Sequence, residues 1–299
     1  MSERNRTIRL TDADIPECDA LIKPTLPDSP SDTIINGDTL ELLPSIPDST
    51  FDLIVVDPPY NITKRFGAVG FTRVSYTEYE TYLRSWLPAL SDKLKPNGTL
   101  YMCGDWSSSH TMHRVLSDSL TVINRITWQR EKGRGSERNW KNSMEDIWFA
   151  VKDHKNYKFN VDCVKMKRRV IAPYRDNGKA KDWYEDGDGK FRMTYPSNFW
   201  DDITVPFWSM KENTDHPTQK PEKLIAKLIL ASSDEGDLVF DPFMGSGTVC
   251  VTAKKLNRHY CGIEIDRNYC RIAAKRIIMA DTDSTIQGYD GKVFLSRNI

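Results

Sequence analysis

The chain predicts an α/β fold, doubly wound around a mostly parallel sheet, and three observations carry that prediction. Short β-branched apolar runs alternate with stretches whose apolar residues recur at helical spacing, the order of a parallel sheet with covering helices. Two of the apolar runs end in rigid or bare backbone, Asp57-Pro-Pro-Tyr60 and Asp241-Pro-Phe-Met-Gly-Ser-Gly-Thr248. The alternation then fails between Val151 and Met210, which predicts an inserted lobe. With 299 residues, eight tryptophans and 39% hydrophobic residues, the chain can bury one large core and a smaller appendage.

Residues 1–31 are polar and broken by Pro16, Pro24, Pro27 and Pro30, which predicts a flexible tail. Order is expected from Thr33-Ile-Ile-Asn-Gly-Asp38: a short strand, a turn at Gly37, and Asp38 as the acidic residue at a helix start. Phe51 to Val56 reads as a strand buried on both faces. Two prolines stop it, because neither donates a ladder hydrogen bond, and they hold Asp57 and the following carbonyls in an arc closed by the Tyr60 ring. Carboxylate, prolyl carbonyls and ring together suit a planar base with an exocyclic amine. Asn61 to Gly70 is a polar loop at the mouth of that site, with Phe66 and Phe71 placed to close over it.

Tyr79, Leu83, Trp86, Leu87, Leu90 and Leu94 define a helix, kinked at Pro88 and stopped by Lys95-Pro-Asn-Gly98. A strand at Thr99–Cys103, a helix at Ser107–Ser117 and strands at Val122–Trp128 and Asp146–Val151 continue the alternation. The loop from Gln129 to Met144 carries Arg134 and Arg138 and reads as basic and mobile. Beyond Val151, Lys165, Lys167, Arg168, Arg169 and Arg175 mix with the rings of Tyr157, Phe159, Tyr174, Trp183, Tyr184, Phe191 and Tyr195. That combination favours nucleic acid over a merely solvated surface.

After His216-Pro-Thr-Gln-Lys-Pro221 the alternation resumes. Pro221 suits the first position of a helix faced by Leu224, Leu228 and Ile229. A strand at Asp237–Phe240 enters the Gly245/Gly247 turn, where bare amides approach a ligand, and a helix follows from Thr248. The next strand ends near Glu264, a carboxylate suited to a ribose diol. Arg267–Met279 is a last amphipathic helix, and the remainder to Ile299 carries no signal. The dinucleotide fingerprint lacks its third glycine and no Gly-Lys-Ser/Thr is present, so neither NAD nor ATP is supported. Six cysteines without a Cys-x-x-Cys pair read as reduced core thiols, with no metal site. A formal charge of zero decides nothing about nucleic acid. With no apolar run of membrane-spanning length and no leader at Met1, a cytoplasmic protein is expected.

With these motifs in place, the chain resembles the amino-methylating DNA methyltransferases of the β arrangement. The resemblance runs from Ile34 to Ile278 and rests on Asp57-Pro-Pro-Tyr60, His216-Pro-Thr-Gln-Lys-Pro221 and Asp241-Pro-Phe-Met-Gly-Ser-Gly247 in that order. No Pro-Cys dipeptide occurs, unlike the enzymes that methylate cytosine carbon through a thiol. The resemblance implies a circularly permuted, seven-stranded sheet of the S-adenosylmethionine-dependent type, with the two C-terminal strands inserted between those at Ile34 and Phe51. It divides the chain into a tail (1–31), a catalytic half (32–151), a target-recognition insertion (152–210), a cofactor-binding half (211–280) and a C-terminal tail (281–299).

It further implies S-adenosylmethionine as cofactor, contacted by Asp38, Asp57, Gln219, Lys220, Asp241, Pro242, Phe243, Gly245, Ser246, Gly247, Thr248, Glu264 and Ile265. In that set Phe243 is the aromatic contact, Glu264 the ribose ligand and Asp38 the partner of the cofactor's adenine amine. Asp57, Pro58, Pro59 and Tyr60 are the implied catalytic residues, acting on a base flipped out of double-stranded DNA. Arg134, Arg138, Lys165, Lys167, Arg168, Arg169 and Arg175 are the implied DNA contacts. Asp rather than Ser at position 57 resembles the adenine N6 enzymes more than the cytosine N4 enzymes. Cytosine N4 chemistry and an inactive DNA-binding descendant stay as alternatives, as do a separately acting restriction endonuclease and a monomeric or dimeric state.

Overall fold

The computed structural model of the chain describes residues 4–66, 69–130, 135, 137–171, 173–187, 189–290 and 293–295. In chain order the first half holds α1 (Ile15–Leu21), β1 (Ile22–Lys23), β2 (Thr33–Asn36), α2 (Thr39–Leu42), β3 (Phe51–Val56), β4 (Lys64–Phe66), β5 (Val69–Phe71), α3 (Tyr76–Asp92), β6 (Leu94–Gly104), α4 (Ser109–Ser119), β7 (Thr121–Gln129) and β8 (Met144–Val151). The middle holds β9 (Met166–Arg169), β10 (Arg175–Asp176), β11 (Lys179–Ala180), β12 (Tyr184–Asp186), β13 (Gly189–Thr194) and β14 (Phe199–Trp200). The last third holds α5 (Glu222–Ser232), β15 (Leu238–Asp241), α6 (Thr248–Lys255), β16 (His259–Glu264), α7 (Arg267–Met279), β17 (Tyr289–Asp290) and β18 (Val293–Phe294).

The main sheet runs β1-β2-β16-β15-β3-β6-β8-β7-β14. Set aside the two-residue edges β1 and β14, and seven strands remain. The C-terminal strands β16 and β15 lie between β2 and β3, all four parallel, in the permuted order. The strand at Asp146 departs from the expected parallel alternation. β8 is antiparallel to both β6 and β7; among the described residues between β7 and β8 there is no crossover helix, which a parallel return would need.

Successive residues of β3 face opposite layers. Leu53 and Val55 join a core with Leu224, Leu228, Val249 and Ala273 from α5, α6 and α7. Ile54 and Val56 join a second core with Leu83, Trp86 and Leu90 from α3 and Met112 from α4. Each fully buried leucine in these layers contributes about 1.5–3 kcal/mol. The Phe51 and Phe240 rings stack at 4.2 Å, tying β3 to β15. A reciprocal cap fixes the start of α3: Ser75 Oγ accepts from the Glu78 amide, and the Glu78 carboxylate accepts from the Ser75 amide. α3 continues through Pro88, where a kink was expected, and Ser91 Oγ bonds the Pro88 carbonyl.

Three further segments differ from the sequence expectation. Within residues 4–31, read as a flexible tail, α1 buries Cys18 and docks on α7 through Asp19 with Arg267 (2.9 Å) and Arg271 (2.8 Å). Pro16 does not prevent this helix, because it sits in the first turn, where no amide is missed. Pro221 lies one residue outside α5, as its N-cap. The insertion is also less irregular than its composition suggests, forming with the C-terminal segment a five-stranded sheet, β12-β13-β9-β18-β17. Phe294, from the stretch that carried no signal, is fully buried there. A buried cluster fastens this lobe to α5, with Asp202 between the ammonium groups of Lys223 and Lys227, each at 2.8 Å.

Candidate active site

Because β2, β16, β15 and β3 are parallel neighbours, their carboxyl ends meet at one edge of the sheet. That edge brings together Asp38 after β2, Glu264 at the end of β16, Phe243 after β15 and Asp57 after β3. One pocket there is lined by Asp57, Pro58, Pro59, Tyr60, Ile62, Phe71, His216, Thr218, Lys220, Phe243, Gly245, Glu264, Ile265, Asp266 and Tyr269. Two motifs nearly 190 residues apart in sequence thus share one cavity, at a switch in strand order.

At the β3 end both oxygens of Asp57 are engaged. Oδ1 accepts the Tyr60 hydroxyl at 2.7 Å, and Oδ2 accepts from Lys220 Nζ at 2.5 Å. Lys220 Nζ also lies 3.2 Å from the Tyr60 oxygen and 3.4 Å from Glu145 Oε2. Burial works against the Lys220 charge, and the facing carboxylates of Asp57 and Glu145 outweigh it, so the ammonium titrates well above the usual lysine range. Tyr60 is pushed up by burial and by Asp57, and it remains a hydroxyl. Tyr79 Oη bonds the Pro59 carbonyl at 3.1 Å. The buried Asn61 pins both ends of the following loop, donating to the Val74 carbonyl and accepting from the Val74 amide.

At the other end Glu264 organises the glycine turn. Its Oε2 accepts the Gly245 amide and its Oε1 the Asp266 amide, both at 2.8 Å, and burial raises its carboxyl. Gly245 has φ +53°, and a Cβ there would meet the His216 ring at 3.0 Å. Gly247 has φ +79° and caps α6, where a Cβ would strike Ala273 at 2.5 Å, so both positions demand glycine. Phe243 stands edge-on to Trp86 at 5.4 Å and presents a ring to the pocket. The Asp241 carboxyl, raised well above the usual range by burial, accepts the Phe243 amide.

The remaining residues of the implied cofactor set hold partners within the protein, and Gln219, Lys220, Asp241, Ser246 and Thr248 line a smaller cavity together with Asp57 and Phe243. Asp38 caps α2, its Oδ1 accepting the Leu40 amide at 2.8 Å, and the Pro242 carbonyl accepts from the Thr39 hydroxyl. The Ser246 and Thr248 side chains both turn toward the buried guanidinium of Arg276. Gln219 is spent on its own segment, bonding Thr214 and the Glu212 carbonyl. Lys220 faces Asp57. Among the implied DNA contacts, Arg134 lies outside the described residues, and Arg138 is exposed on the β7–β8 loop. Lys165 and Lys167 pair with Asp162 and Asp186, and Arg168, Arg169 and Arg175 are exposed on the lobe.

Several residues at the site escaped the sequence reading. His216 was quoted within its motif without a role, yet it lines the pocket against Tyr269 at 4.5 Å. Arg276 stands on the apolar face of α7, and a buried arginine at a helical core position was the available signal. Glu145 gave none, since a carboxylate beside a loop reads as solvated.

A doubly wound permuted sheet, with an acidic Pro-Pro-Tyr tip and a glycine turn facing one pocket, defines the class of amino-methylating methyltransferases. The DNA methylase family model, which spans N6 and N4 enzymes, matches residues 51–275, and the chain belongs to that family. It is similar to the type II methyltransferase M.HpaI of Haemophilus parainfluenzae, 32% identical over 86% of this chain and 76% of that one. It is also similar to the DNA adenine methyltransferase YhdJ of Escherichia coli K12, 32% identical over 86% of each chain. Among solved structures, the M1.HpyAVI complex with S-adenosylmethionine aligns at TM-score 0.57 and 22% identity, over 82% of this chain and 98% of that one. The cytosine-N4-specific PvuII methyltransferase aligns at 0.60 and 20%, over 82% and 85%. These two show the shared fold.

Proposed function

We propose that the protein methylates the exocyclic N6 amine of adenine in double-stranded DNA, using S-adenosylmethionine. The observation that carries the proposal is the Asp57 carboxylate at the tip of β3, in one cavity with prolyl residues, the Tyr60 ring, Phe243 and Glu264. The named adenine enzyme among its relatives supports adenine as the base.

The cavity fits the cofactor by its donor set. Glu264 keeps lone pairs for a diol after accepting two amides, Phe243 walls one side, and Gly245 lines the cavity beside it. Bound there, S-adenosylmethionine supplies an electrophilic methyl group on a sulfonium. The protein's task is the amine, whose lone pair is delocalised into the ring and is a poor nucleophile. Asp57 and the Pro58 carbonyl accept its two N–H bonds, which favours a pyramidal nitrogen and offsets the charge that develops on it. The amine of a paired, stacked base cannot reach the pocket, so the base is flipped out and held against Tyr60. Among the described residues no helix is long and apolar enough to cross a membrane.

Incubation with unmethylated genomic DNA and labelled cofactor, followed by digestion to nucleosides, tests the reading. N6-methyladenine is expected. N4-methylcytosine would move the base assignment, and no methylated nucleoside would overturn the activity.

A further inference from the structure

Both oxygens of Asp57, the proposed amine acceptor, are occupied in the structure, and the stronger occupant is a buried ammonium. A second carboxylate waits behind it. Glu145 is only 4% exposed, Arg130 holds its Oε1, and its Oε2 has no hydrogen-bond partner among the described residues although Lys220 Nζ is 3.4 Å away. A buried carboxylate oxygen with an ammonium in ion-pair range but no hydrogen bond is costly and calls for a reason.

We propose that Lys220 is a positioning residue whose ammonium has two seats, Asp57 while the base pocket is empty and Glu145 once the target amine donates to Asp57. The inference rests on the methyltransferase reading above. Glu145 is buried and the Asp57 side chain is 26% exposed; on the move Asp57 keeps the Tyr60 hydroxyl and gains the arriving amine as donors, whereas withdrawal of Lys220 into solvent would leave Glu145 with Arg130 alone and the ammonium with no carboxylate. The distances fit a change of side-chain torsion alone: Nζ already lies within ion-pair range of both, and 5.4 Å from the centre of the Tyr60 ring. The other titratable groups facing the ammonium are Tyr60, Cys103 and Asp241. The first two are neutral hydroxyl and thiol pushed up by burial, and Asp241 is itself pushed well above the carboxylate range, so the choice lies between Asp57 and Glu145. The shift frees Oδ2 of Asp57 when a new donor arrives. It also gives the His216-Pro-Thr-Gln-Lys-Pro221 segment a function at the acceptor rather than at the cofactor.

The test compares Glu145→Gln with Glu145→Asp in single-turnover methylation of unmethylated plasmid DNA, with S-adenosylmethionine affinity measured by calorimetry. A seat needs charge, so Glu145→Gln should slow the reaction about tenfold or more while Glu145→Asp is milder; a packing role reverses that order, because Gln is isosteric and Asp is not. Cofactor affinity should stay within about twofold for both. In a Lys220→Met background, Glu145→Gln should add less than about threefold, since the ammonium it serves is gone. If Lys220→Met does not fold, the Gln and Asp order decides alone. Wild-type rates in Glu145→Gln, the reversed order, or full additivity would each overturn the proposal. A wild-type protein that methylates no DNA would remove the reading beneath it.

Discussion

The catalytic edge and the inserted lobe carry the same kinds of charged residue in opposite surroundings. At the edge, Asp57, Lys220 and Glu145 form a cluster in which Lys220 is 8% and Glu145 5% exposed at the side chain, and each contact has a set geometry. On the lobe, Lys165 pairs with an Asp162 side chain that is 82% exposed and Lys167 with an Asp186 that is 53% exposed. Such pairs contribute little and are screened by salt, while Lys220 and Glu145 are shielded from both water and salt and Asp57, 26% exposed at its side chain, is partly so. The edge is therefore built for one fixed reaction. On the proposed function, the phosphates of DNA would replace the lobe's weak pairs.

The sharpest break between the two should come from Asp57→Ala. Loss of the acceptor should lower methyl transfer by about a thousandfold or more, on the scale of removing a preorganised acceptor or donor at a reacting centre. DNA affinity should stay within about tenfold, because phosphate contacts dominate it. Retained turnover would sink the acceptor role. Tyr60→Ala should follow closely, and Tyr60→Phe should also be slow: the hydroxyl bonds Asp57 at 2.7 Å, and a hydrogen bond to a charged group is worth about 1.5–3 kcal/mol.

The edge was legible in the sequence because its constraints are local. Prolines at 58 and 59 must end a strand, and glycines at 245 and 247 announce backbone that other residues cannot adopt. Strand order came from the family resemblance, since no periodicity says which strands are neighbours. What stayed hidden depends on contacts between distant segments. That Lys220, read as a cofactor contact, lies 2.5 Å from Asp57 is visible only in the fold, as is the Tyr60 hydroxyl's bond to that same carboxylate, where the sequence offers a ring. α1 and β18 were invisible because each needs another element to complete it: two arginines of α7 for α1, and the edge of β9 for β18.

A smaller break is expected from Glu264→Gln. Both Glu264 oxygens accept backbone amides, and the glutamine NH₂ would face one of those donors. Cofactor affinity should fall about tenfold to a hundredfold through the lost charge-assisted bonds and the loosened Gly245 turn. Calorimetric titration gives the number. An unchanged affinity would leave Glu264 as a brace for the turn and no more.

Behind that turn lies a third buried charged group, and it makes stability depend on pH. The Glu212 carboxyl is pushed up to about 8, first by burial and then by the charge of Glu222, which itself pairs with Arg276 at 2.9 Å. Between the ordinary glutamate range and pH 8 the folded chain keeps a proton that the unfolded chain has released. Stability from this group is therefore complete at low pH and lost as pH rises through that window. Urea unfolding at several pH values should show that decline flattened in Glu212→Gln, with the largest difference from wild type near pH 8. Parallel curves would exclude Glu212 as its source.

The least perturbing change tests the lobe itself. Arg168 and Arg169 lie exposed on β9, and neither makes an ion pair among the described residues, unlike Lys165 and Lys167 beside them. An unpaired guanidinium loses no protein partner when it meets DNA, so these two should contribute more to binding than the paired lysines. If they meet phosphates, the double Ala variant should weaken binding to all sequences and reduce the slope of log affinity against log salt by about two. If either reads guanine, the methylated sequence should relax instead, by about 1–3 kcal/mol at one position. Neither outcome should move cofactor affinity, because β9 belongs to a different sheet from β15 and β16, which carry the Glu264 turn. Methylation-sensitive sequencing and binding titrations at two salt concentrations separate the cases. Should affinity, salt slope and sequence all match wild type, the lobe's arginines are a solvated surface, and the contrast between fixed edge and DNA-reading lobe fails at this strand.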